Sequence, residues 1–374
     1  MGKYRIKVVL LHFSFSEYTV QLANNLVKYV DLTLIHSEEI YRQCKDVLNP
    51  HIRVIQIKKP RIRDPRNIKV IAAMMRMIRE INPDVLHVQE TNDPWYDLTL
   101  LFSKMPPLVT TIHDVYRHPG DRDLTPGAEY TRRIAFYRSQ QLIVHSQSLQ
   151  DILIKQFRLP QQRINVLPHG ELGSLFQSWS SGQIAPREPH TLLFFGRIWP
   201  YKGLKYLLQA IPLVAEHIPG VKLIIAGRGE NVSELLQDAD KKHYEILNNF
   251  IPTGNVANLF QRSAAVVLPY IESSQSGVAA IAYAMGTPVI ASNIGGLREI
   301  VRHEQDGLLV PPCDVQSLAD AIIRLLSDSH LQRQMQIAAL ERCQQDLNWS
   351  NIAAQTIEVY HQAIAAKSTS LMTR

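Results

Sequence analysis

Two cations beside the start of a predicted helix form the sharpest chemical pattern in the chain. They are Arg197 and Lys202 in the segment FGRIWPYKG, residues 195–203, between a predicted strand at 192–195 and a predicted helix at 204–217. The free amides and dipole of a helix N-terminus attract anions, an Arg fork can hold two phosphate oxygens, and Lys adds a point charge. This arrangement favours a diphosphate site. The alternative is an ordinary strand-to-helix turn with solvated cations.

Two later segments also place glycine turns after predicted strands. Gly227 and Gly229 follow the strand at 223–226, and the sequence GTPVIAS at 286–292 leads to a Gly-Gly turn and Glu299. Ligands of open α/β sheets bind at the carboxyl ends of the strands, which is where these turns fall. Gly227 does not begin a dinucleotide fingerprint, because Val232 stands where a third glycine is needed. The pattern therefore does not favour a dehydrogenase.

The elements that would hold these residues alternate along the whole chain. Short aliphatic runs are separated by stretches of helical period, which is typical of an α/β fold with parallel sheets covered on both faces. The predicted strands are 6–11, 32–35, 54–57, 85–88, 108–111, 142–144 and 164–167, then 192–195, 223–226, 265–268, 289–291 and 308–310. The two series predict two Rossmann-like domains facing each other across a cleft.

Length and composition agree with two domains. A chain of 374 residues suits two α/β domains better than one core. A Ser, Gly and Pro-rich stretch at 170–189 has no clear period and is predicted to be the domain linker and its flanks. Residues 315–367 lack Pro and Gly, which predicts a helical tail with a last helix that packs back across the domain junction. The expected domains are 1–180 and 190–345, followed by the tail 346–374.

Composition also limits location and cofactors. The chain is 45% hydrophobic and 20% charged, and it has no apolar run near the roughly 18 residues of a membrane helix. Its N-terminus has the pattern of a first strand and not of a signal peptide. Cys44, Cys313 and Cys343 are widely spaced, which is unlike a zinc site or a disulfide framework. These features predict a cytoplasmic protein.

Positive charge is concentrated in the first half of the chain. Residues 1–189 hold 25 Lys and Arg against 18 Asp and Glu, and the net charge of the whole chain is +6. Bases and apolar residues interleave from Lys58 to Arg79. Either a basic amphipathic helix lies on an anionic membrane surface, on the inner face of the membrane, or a solvated helix face covers a packed core. No nucleic-acid motif accompanies the charge, so nucleic acid is not expected as a partner.

Taken together and in this order, the motifs resemble those of the retaining glycosyltransferases of family 4, which have the GT-B fold. The resemblance covers most of residues 190–345 closely and the first half more loosely. It implies retaining transfer from a UDP- or GDP-sugar bound by residues 190–345, with residues 1–180 on the acceptor side. The basic segment in the first half favours a glycan or lipid-linked acceptor. The resemblance also implies that Gly196, Arg197 and Lys202 bind the donor diphosphate, that Gly227 lines the donor site, and that Glu299 lies near the nucleotide.

The resemblance extends to two histidines of the first half. The sequence TIHD at 111–114 is similar to a family turn whose His lies beside the donor sugar, which assigns His113 to the reacting centre. The sequence VLPHG at 166–170 resembles the strand end that closes the first domain, which puts His169 on the acceptor side. A lone His after a buried strand is also commonly a structural residue, and this alternative stays open for His113.

The chain departs from the family pattern at two places. Glu272 matches a first Glu that would hold sugar hydroxyls, but the second Glu of that pair falls on Ala280 or Ile281. Small residues mark Ser276, Gly277 and Val278 as a helix start whose amides face the sugar and phosphate. The first loop, FSFSEY at 13–18, replaces the usual glycine pair, so the acceptor-side candidates are Ser16, Glu17 and Tyr18.

No metal cofactor is expected. The carboxylate pairs Asp121 with Asp123 and Asp238 with Asp240 lie in polar stretches away from strand ends, and the cations supply the charge that a leaving diphosphate needs. Two other functions remain open. One is a sugar-nucleotide epimerase of related fold, which would need several acid/base residues in the cleft. The other is a catalytically silent sugar-nucleotide-binding protein, which the missing second Glu would allow.

Overall fold

The structure is a computed structural model that describes residues 5–13, 16–90, 92–102, 104–116, 127–180, 185–236 and 241–372, with side chains as far as Ser368. The described residues form two compact units. The first contains residues 5–116, 127–168 and 349–372, and the second contains His169–Asn348. None of the described helices is long and apolar enough to cross a membrane.

The first unit is built on a seven-stranded parallel sheet of order β3-β2-β1-β4-β5-β6-β7. Its strands are β1 (Lys7–Leu11), β2 (Asp31–Ser37), β3 (Arg53–Ile57), β4 (Val85–Gln89), β5 (Leu108–Thr111), β6 (Gln141–Val144) and β7 (Ile164–Val166). Its helices before the boundary are α1 (Ser16–Leu26), α2 (Glu38–Cys44), α3 (Asn67–Ile81), α4 (Pro94–Phe102), α5 (Ala128–Thr131), α6 (Arg133–Arg138) and α7 (Gln147–Phe157).

The second unit is built on a six-stranded parallel sheet of order β10-β9-β8-β11-β12-β13. Its strands are β8 (Glu188–Phe195), β9 (Lys222–Ala226), β10 (Tyr244–Leu247), β11 (Ser263–Leu268), β12 (Val289–Ser292) and β13 (Gly307–Val310). Its helices are α8 (Gly173–Trp179), α9 (Leu204–His217), α10 (Val232–Leu236), α11 (Thr253–Arg262), α12 (Gly277–Ala284), α13 (Leu297–Ile300), α14 (Val315–Ser327) and α15 (Ser329–Gln345).

The predicted α/β class is confirmed, and every predicted strand is present. Central strands such as β4 and β11 are buried at every residue, which explains their near-continuous apolar sequences. The sequence did not reveal β10, because this half-buried strand pairs only with β9 and has the mixed sequence YEIL.

The stretch at 170–189, predicted to be the domain linker and its flanks, contains regular structure that the sequence did not indicate. It contains the helix α8, which packs against α11 and α12, and β8 begins at its end. A Cβ at Gly173 would lie 2.4 Å from the Cβ of Ala284, so this glycine permits the close approach of α8 to α12. A helix of seven residues is too short to show a clear period in the sequence.

The basic segment forms a helix over only part of its predicted length. Residues 58–66 precede α3, whose apolar residues Ile71, Met74, Met75 and Ile78 are buried in the core of the first unit. The spacing of these residues places them on one face of a helix. They cover the sheet, so the apolar stripe of α3 is packed in the core and is not available to lipid, while its bases remain exposed.

The predicted helical tail comprises α14, α15 and a third helix, α16 (Trp349–Met372). The side chains of Asp314 and Asp328 cap α14 and α15 by accepting hydrogen bonds from backbone N–H groups. The helix α16 belongs to the first unit, where it packs against α1 and the strands β4, β5 and β6.

Candidate active site

Two glycine-containing turns contact each other through their backbones at the carboxyl ends of β8 and β9. Gly196 donates a hydrogen bond from its N–H to the carbonyl of Ala226, 2.9 Å away. A Cβ at Gly227 would lie 1.7 Å from the carbonyl oxygen of Gly196, and one at Gly229 would lie 2.2 Å from that of Ile198. Gly227 and Gly229 are therefore required by contact between backbones. Gly196 is favoured by its φ of +108°, since a Cβ there would make only an ordinary contact with a side chain.

Both predicted cations contact Tyr201, and Lys202 also contacts Tyr270. Arg197 donates a hydrogen bond to the Tyr201 hydroxyl at 3.4 Å. The Lys202 ammonium lies 3.8 Å from the ring centre of Tyr270 and 5.0 Å from that of Tyr201. Tyr201 and Tyr270 are buried, while both cations are half-buried. The structure thus holds both positive charges on one aromatic support while leaving each partly accessible.

A glycine fixes the turn between the cations and α9. Gly203 has a φ of +68°, and a Cβ there would lie 1.9 Å from the carbonyl oxygen of Pro269. The N–H of Ile271 donates to the carbonyl of Tyr201 at 2.8 Å. The loop after β11 therefore packs directly on the turn that carries Lys202.

The start of α12 lies beside these cations. Ser276 caps the helix by accepting a hydrogen bond from the N–H of Ala279 at 3.3 Å. Burial, reinforced by Tyr201, raises the pKa of Tyr270, while the nearby Ser276 hydroxyl and the charge of Arg197 act in the opposite direction. Tyr270 thus lies near both Arg197 and the helix N-terminus. A Cβ at Gly196 would lie 3.9 Å from a methyl group of Val278.

The predicted Gly-Gly turn brings α13 to the same edge of the sheet. Cβ atoms at Gly295 and Gly296 would lie 1.9 and 2.3 Å from the carbonyl oxygens of Ser273 and Ser274. Glu299 on α13 is half-buried, and Glu272 in the loop after β11 is exposed. The structure therefore gathers the glycine turns, both cations and the start of α12 around the carboxyl ends of β8, β9 and β11, with Glu299 on an adjoining helix.

The position at which the family pattern has its second Glu is buried in the core of the second unit. Ala280 and Ile281 are buried in α12, which packs against α8 and α15. Neither side chain carries a polar atom. The departure from the family pattern therefore falls in a part of α12 that belongs to the core of this chain.

A set of hydrogen-bonded polar side chains, centred on the buried Asp306, holds the segment around α13. Sequence analysis did not predict it. Asp306 accepts hydrogen bonds from the Tyr283 hydroxyl at 2.7 Å and the Arg302 N–H at 2.8 Å. Arg342 on α15 donates to the carbonyl of Glu299 at 3.3 Å. Burial raises the pKa of Asp306, and Tyr283, Arg302 and Arg342 partly oppose that rise. These side chains fix the segment that bears Glu299.

His113 lies in a fully buried cluster at the carboxyl edge of the first sheet. One ring nitrogen, Nε2, is 3.0 Å from Oε1 of Gln89, at the end of β4. Its ring centre lies 5.1 Å from that of Tyr18 and 4.9 Å from that of His145. Trp349 at the start of α16 contacts the other side of Tyr18, with ring centres 5.1 Å apart. The cluster therefore joins α1, β4, β5, β6 and α16 around His113.

A buried ion pair holds the turn that carries His113. Oε2 of Glu90 accepts hydrogen bonds from the N–H groups of His113 at 3.1 Å and Asp114 at 3.3 Å. Arg132 pairs with Oε1 of Glu90 at 2.7 Å and donates to the carbonyl of Val115 at 2.7 Å. Burial raises the pKa of Glu90, and Arg132 opposes that rise. Glu90 follows a strand end, which was the only sequence signal for this pair.

The acceptor-side candidates fall in different places. Ser16 donates a hydrogen bond to Glu17 at 2.9 Å in the first turn of α1, and both are half-buried, whereas Tyr18 is buried. Residues Ser14 and Phe15 of the same loop lie outside the described residues. His169 belongs to the second unit, where a Cβ at Gly277 would lie 3.5 Å from its ring. It therefore adjoins the start of α12.

Within the described ranges, no group of three or more His, Cys, Asp or Glu side chains is placed to hold a metal ion. The weighed pairs Asp121 with Asp123 and Asp238 with Asp240 lie outside the described residues.

Two doubly wound units, one of which presents paired cations and a helix N-terminus at its carboxyl edge, define the class of two-domain glycosyltransferases with the GT-B fold. A solved structure of the Anabaena protein Alr3699/HepE, in complex with UDP-glucose, has the same fold. It superposes with a TM-score of 0.70 at 18% identity and covers 98% of this chain and 100% of that one.

The chain belongs to the group 1 glycosyl transferases. The profile described as "Glycosyl transferases group 1" matches residues 189–328, and that described as "Glycosyl transferase 4-like" matches residues 7–146. Glycogen synthase of Mycobacterium tuberculosis is 31% identical over 297 residues, which span 77% of this chain and 70% of that protein. Phosphatidyl-myo-inositol mannosyltransferase of Mycobacterium leprae is 36% identical over 196 residues, about half of each chain. The predicted family and fold are confirmed.

Proposed function

We propose that this glycosyltransferase moves a sugar from a UDP- or GDP-sugar to a glycan or lipid-linked acceptor, with retention at the anomeric carbon. The observation that carries the proposal is the support of Arg197 and Lys202 by Tyr201 and Tyr270 beside the N-terminus of α12. The donor bound by the Anabaena protein, UDP-glucose, supports a donor of this class.

The donor diphosphate would bind Arg197, Lys202 and the backbone N–H groups at Ser276, Gly277 and Val278. As the bond from the anomeric carbon to the phosphate oxygen breaks, its electron pair leaves with the diphosphate. Fixed positive charge then stabilises the transition state more than the ground state. The acceptor oxygen attacks from the same face, and its proton passes to the departing phosphate oxygen.

Two carboxylates would orient the rest of the donor. Glu272 would accept hydrogen bonds from sugar hydroxyls, for which its exposed position after β11 is suitable. Glu299 would lie near the nucleotide, on the segment that Arg342 holds. Two cations and a helix N-terminus provide the charge for a leaving diphosphate, so we propose that transfer needs no metal ion.

Acceptor binding would use residues of the first unit together with His169 of the second unit. We assign His113 to the reacting centre because the Glu90 carboxylate fixes its turn, and we keep Ser16, Glu17, Tyr18 and His169 as acceptor-side candidates. The lipid acceptor of the Mycobacterium leprae relative supports a lipid-linked acceptor. We also propose that the functional domains are residues 1–180 and 190–345, followed by the tail 346–374. The protein would be cytoplasmic. It would bind the anionic inner surface of the membrane through residues 58–79.

A donor screen tests this proposal. Purified protein is mixed with a panel of UDP- and GDP-sugars, released nucleotide is measured with and without EDTA, and NMR of the product gives the anomeric configuration. Replacing Arg197 and Lys202 together with Ala should lower kcat/KM for the productive donor about 100 to 1,000-fold. Lys205→Ala removes an exposed cation from the first turn of α9 and should leave turnover unchanged. Retained turnover in the double variant refutes the site.

A second candidate, a silent binding protein, is favoured by one observation. Ala280 and Ile281 leave no acid where the family pattern has its second Glu, and both are buried. Calorimetry decides between the two functions. Donor binding that depends on Arg197, with neither hydrolysis nor transfer for any donor, would establish the silent protein.

A further inference from the structure

The outer face of the first unit carries large apolar side chains that the sequence pattern did not reveal. On α4, Leu98, Leu101 and Phe102 are 42, 48 and 87% exposed. Their spacing of three and four residues places them on one face of the helix. The opposite face holds Tyr96 and Leu100, which are buried in the core shared with α3. The helix is therefore apolar on two sides, and only one of them is used by the fold.

This apolar face lies in a basic surrounding. The helices α3 and α4 each follow a strand of one parallel sheet, pack into the same core and contact each other, so they run side by side. The exposed side of α3 carries Lys69, Arg76 and Arg79. Beyond the end of α4 lies Lys104, also exposed.

Two further bases lie near the end of α4. Lys367 of α16 donates a hydrogen bond to the carbonyl of Met105, and the charge of Arg138 adds to burial in lowering the pKa of Lys367. The two acids closest in sequence, Asp93 and Asp97, are buried, and Asp97 accepts a hydrogen bond from Thr131 at 2.9 Å. Glu80 is the acid that α3 exposes on this side.

Charge selects among possible occupants of this face. In a symmetric dimer the same surface meets itself, so Lys69 and Arg76 would face the bases of the second copy. An anionic bilayer instead attracts each base and accepts exposed apolar side chains below its headgroups.

We propose that the outer face formed by Ile68, Lys69 and Arg76 of α3 and Leu98, Leu101 and Phe102 of α4 binds an anionic lipid bilayer. The apolar residues of α4 enter the lipid, and the bases of α3 contact the headgroups. This assignment rests on the membrane surface proposed above for residues 58–79. It places the apolar contact on α4 instead of α3, because the apolar stripe of α3 is buried in the core.

Vesicle binding of the full chain tests this assignment. Sedimentation uses phosphatidylcholine vesicles with and without 30% phosphatidylglycerol, at low salt and at about 0.5 M salt, where exposed charge is screened. The variant Leu101→Ser/Phe102→Ser should weaken binding to the anionic vesicles about tenfold, most clearly at high salt. Lys69→Glu/Arg76→Glu should abolish the preference for anionic lipid. Phe250→Ser is the matched control, since Phe250 is 71% exposed on the second unit.

The outcomes separate this inference from the proposed reaction. Unchanged vesicle binding by Leu101→Ser/Phe102→Ser, with circular dichroism showing a folded protein, would overturn the role of α4. A dimer in solution that this variant dissociates, without vesicle binding by the wild type, would assign the face to a second copy and equally overturn it. Donor hydrolysis without vesicles reports on the proposed function alone and should be the same in this variant as in the wild type.

Discussion

The carboxyl edges of the two sheets use polar residues in opposite ways. In the second unit, Arg197 and Lys202 are half-buried on turns that require glycine, so their charges remain available to a ligand. In the first unit, His113, Glu90 and Arg132 are buried and bonded to one another or to backbone groups. The same strand arrangement therefore supports one accessible charged site and one internal polar network.

The difference has an energetic consequence. Half-exposed cations lose little hydration on folding, so removing them should affect ligand binding much more than stability. A buried ion pair is different, because loss of one partner leaves a charge without compensation in a region of low polarity. Mutations of Glu90 or Arg132 should therefore act mainly on folding, and mutations of Arg197 or Lys202 mainly on donor binding.

The largest effect on stability is expected for Arg132→Met. Removing the guanidinium leaves the Glu90 carboxylate buried and should lower the free energy of unfolding by about 3–5 kcal/mol, measured by urea denaturation. The control is Arg133→Met, since Arg133 is half-exposed, pairs with Glu129 at 3.9 Å and lies 5.4 Å from the ring centres of Tyr130 and Phe157. Its loss should cost about 1 kcal/mol or less. Restoration of part of the loss by Glu90→Gln in the Arg132→Met background would identify the unpaired charge as its cause. Equal stability of the two single variants would contradict the comparison.

A pH dependence comes next in size and belongs to the first unit. His87 on β4 contacts the Tyr360 hydroxyl and the Thr111 hydroxyl, each at 2.8 Å, and burial lowers its pKa to about 3. The unfolded chain binds a proton near pH 6.5 that the native state does not bind, so stability present above pH 6.5 is lost as pH falls toward 3. By pH 4 the loss should be about 3 kcal/mol. Burial also lowers the pKa of His36 to about 4, which acts in the same direction.

The variant His87→Gln tests this dependence. Urea denaturation between pH 4 and 7.5 should show the wild type approaching the variant in stability as pH falls, because only the wild type has the titrating group. The control is His361→Gln, an exposed residue of α16 that should follow the wild-type curve. Parallel curves for His87→Gln and the wild type would remove His87 as the source.

The two edges also differ in how far the sequence predicts them. Arg197, Lys202 and Gly196 lie within seven residues, so local spacing and turn chemistry were enough to propose their neighbourhood. Arg132 pairs with Glu90 from 42 positions away. Periodicity does not encode contacts of that kind, and neither does it encode the support of Glu299 by Arg342.

The fold shows the same limit. Central strands were predictable because both faces are buried and their sequences are apolar, whereas β10 and α8 were not. The strand β10 is half-buried beside a single neighbour, and α8 is too short to show a helical period. The contact of Gly227 with the backbone of Gly196 was also not predictable, because a sequence does not distinguish a glycine that faces a ligand from one packed against another backbone.

A smaller effect is expected from the aromatic support of the donor site. Tyr270→Leu keeps an apolar side chain but removes the ring beneath the Lys202 ammonium, an interaction worth about 1–2 kcal/mol when partly desolvated. The KM for the donor should rise about tenfold, with a smaller change in kcat. The control, Tyr206→Leu, removes the ring 4.8 Å from Lys205 and should leave the KM unchanged. An unchanged donor KM in Tyr270→Leu would show that Lys202 is positioned by something else.

The smallest effect is expected in the second unit, where the contribution of Asp306 to stability should change with pH in the direction opposite to that of His87. Because the pKa of Asp306 is raised, the native state holds its proton more tightly than the unfolded chain, so this stability is present at low pH and lost as pH rises. Asp306→Asn keeps an oxygen that can accept from Tyr283 and removes the titration. Urea denaturation should then show the variant gaining on the wild type as pH rises from 4 to 8, by less than about 1 kcal/mol. Acid would therefore weaken the first unit through His87 while the contribution of Asp306 in the second unit is retained. Hydrogen exchange resolved by unit should show protection lost first from β4 and α16 on acidification, and earlier loss from α12 and α13 would reverse this order.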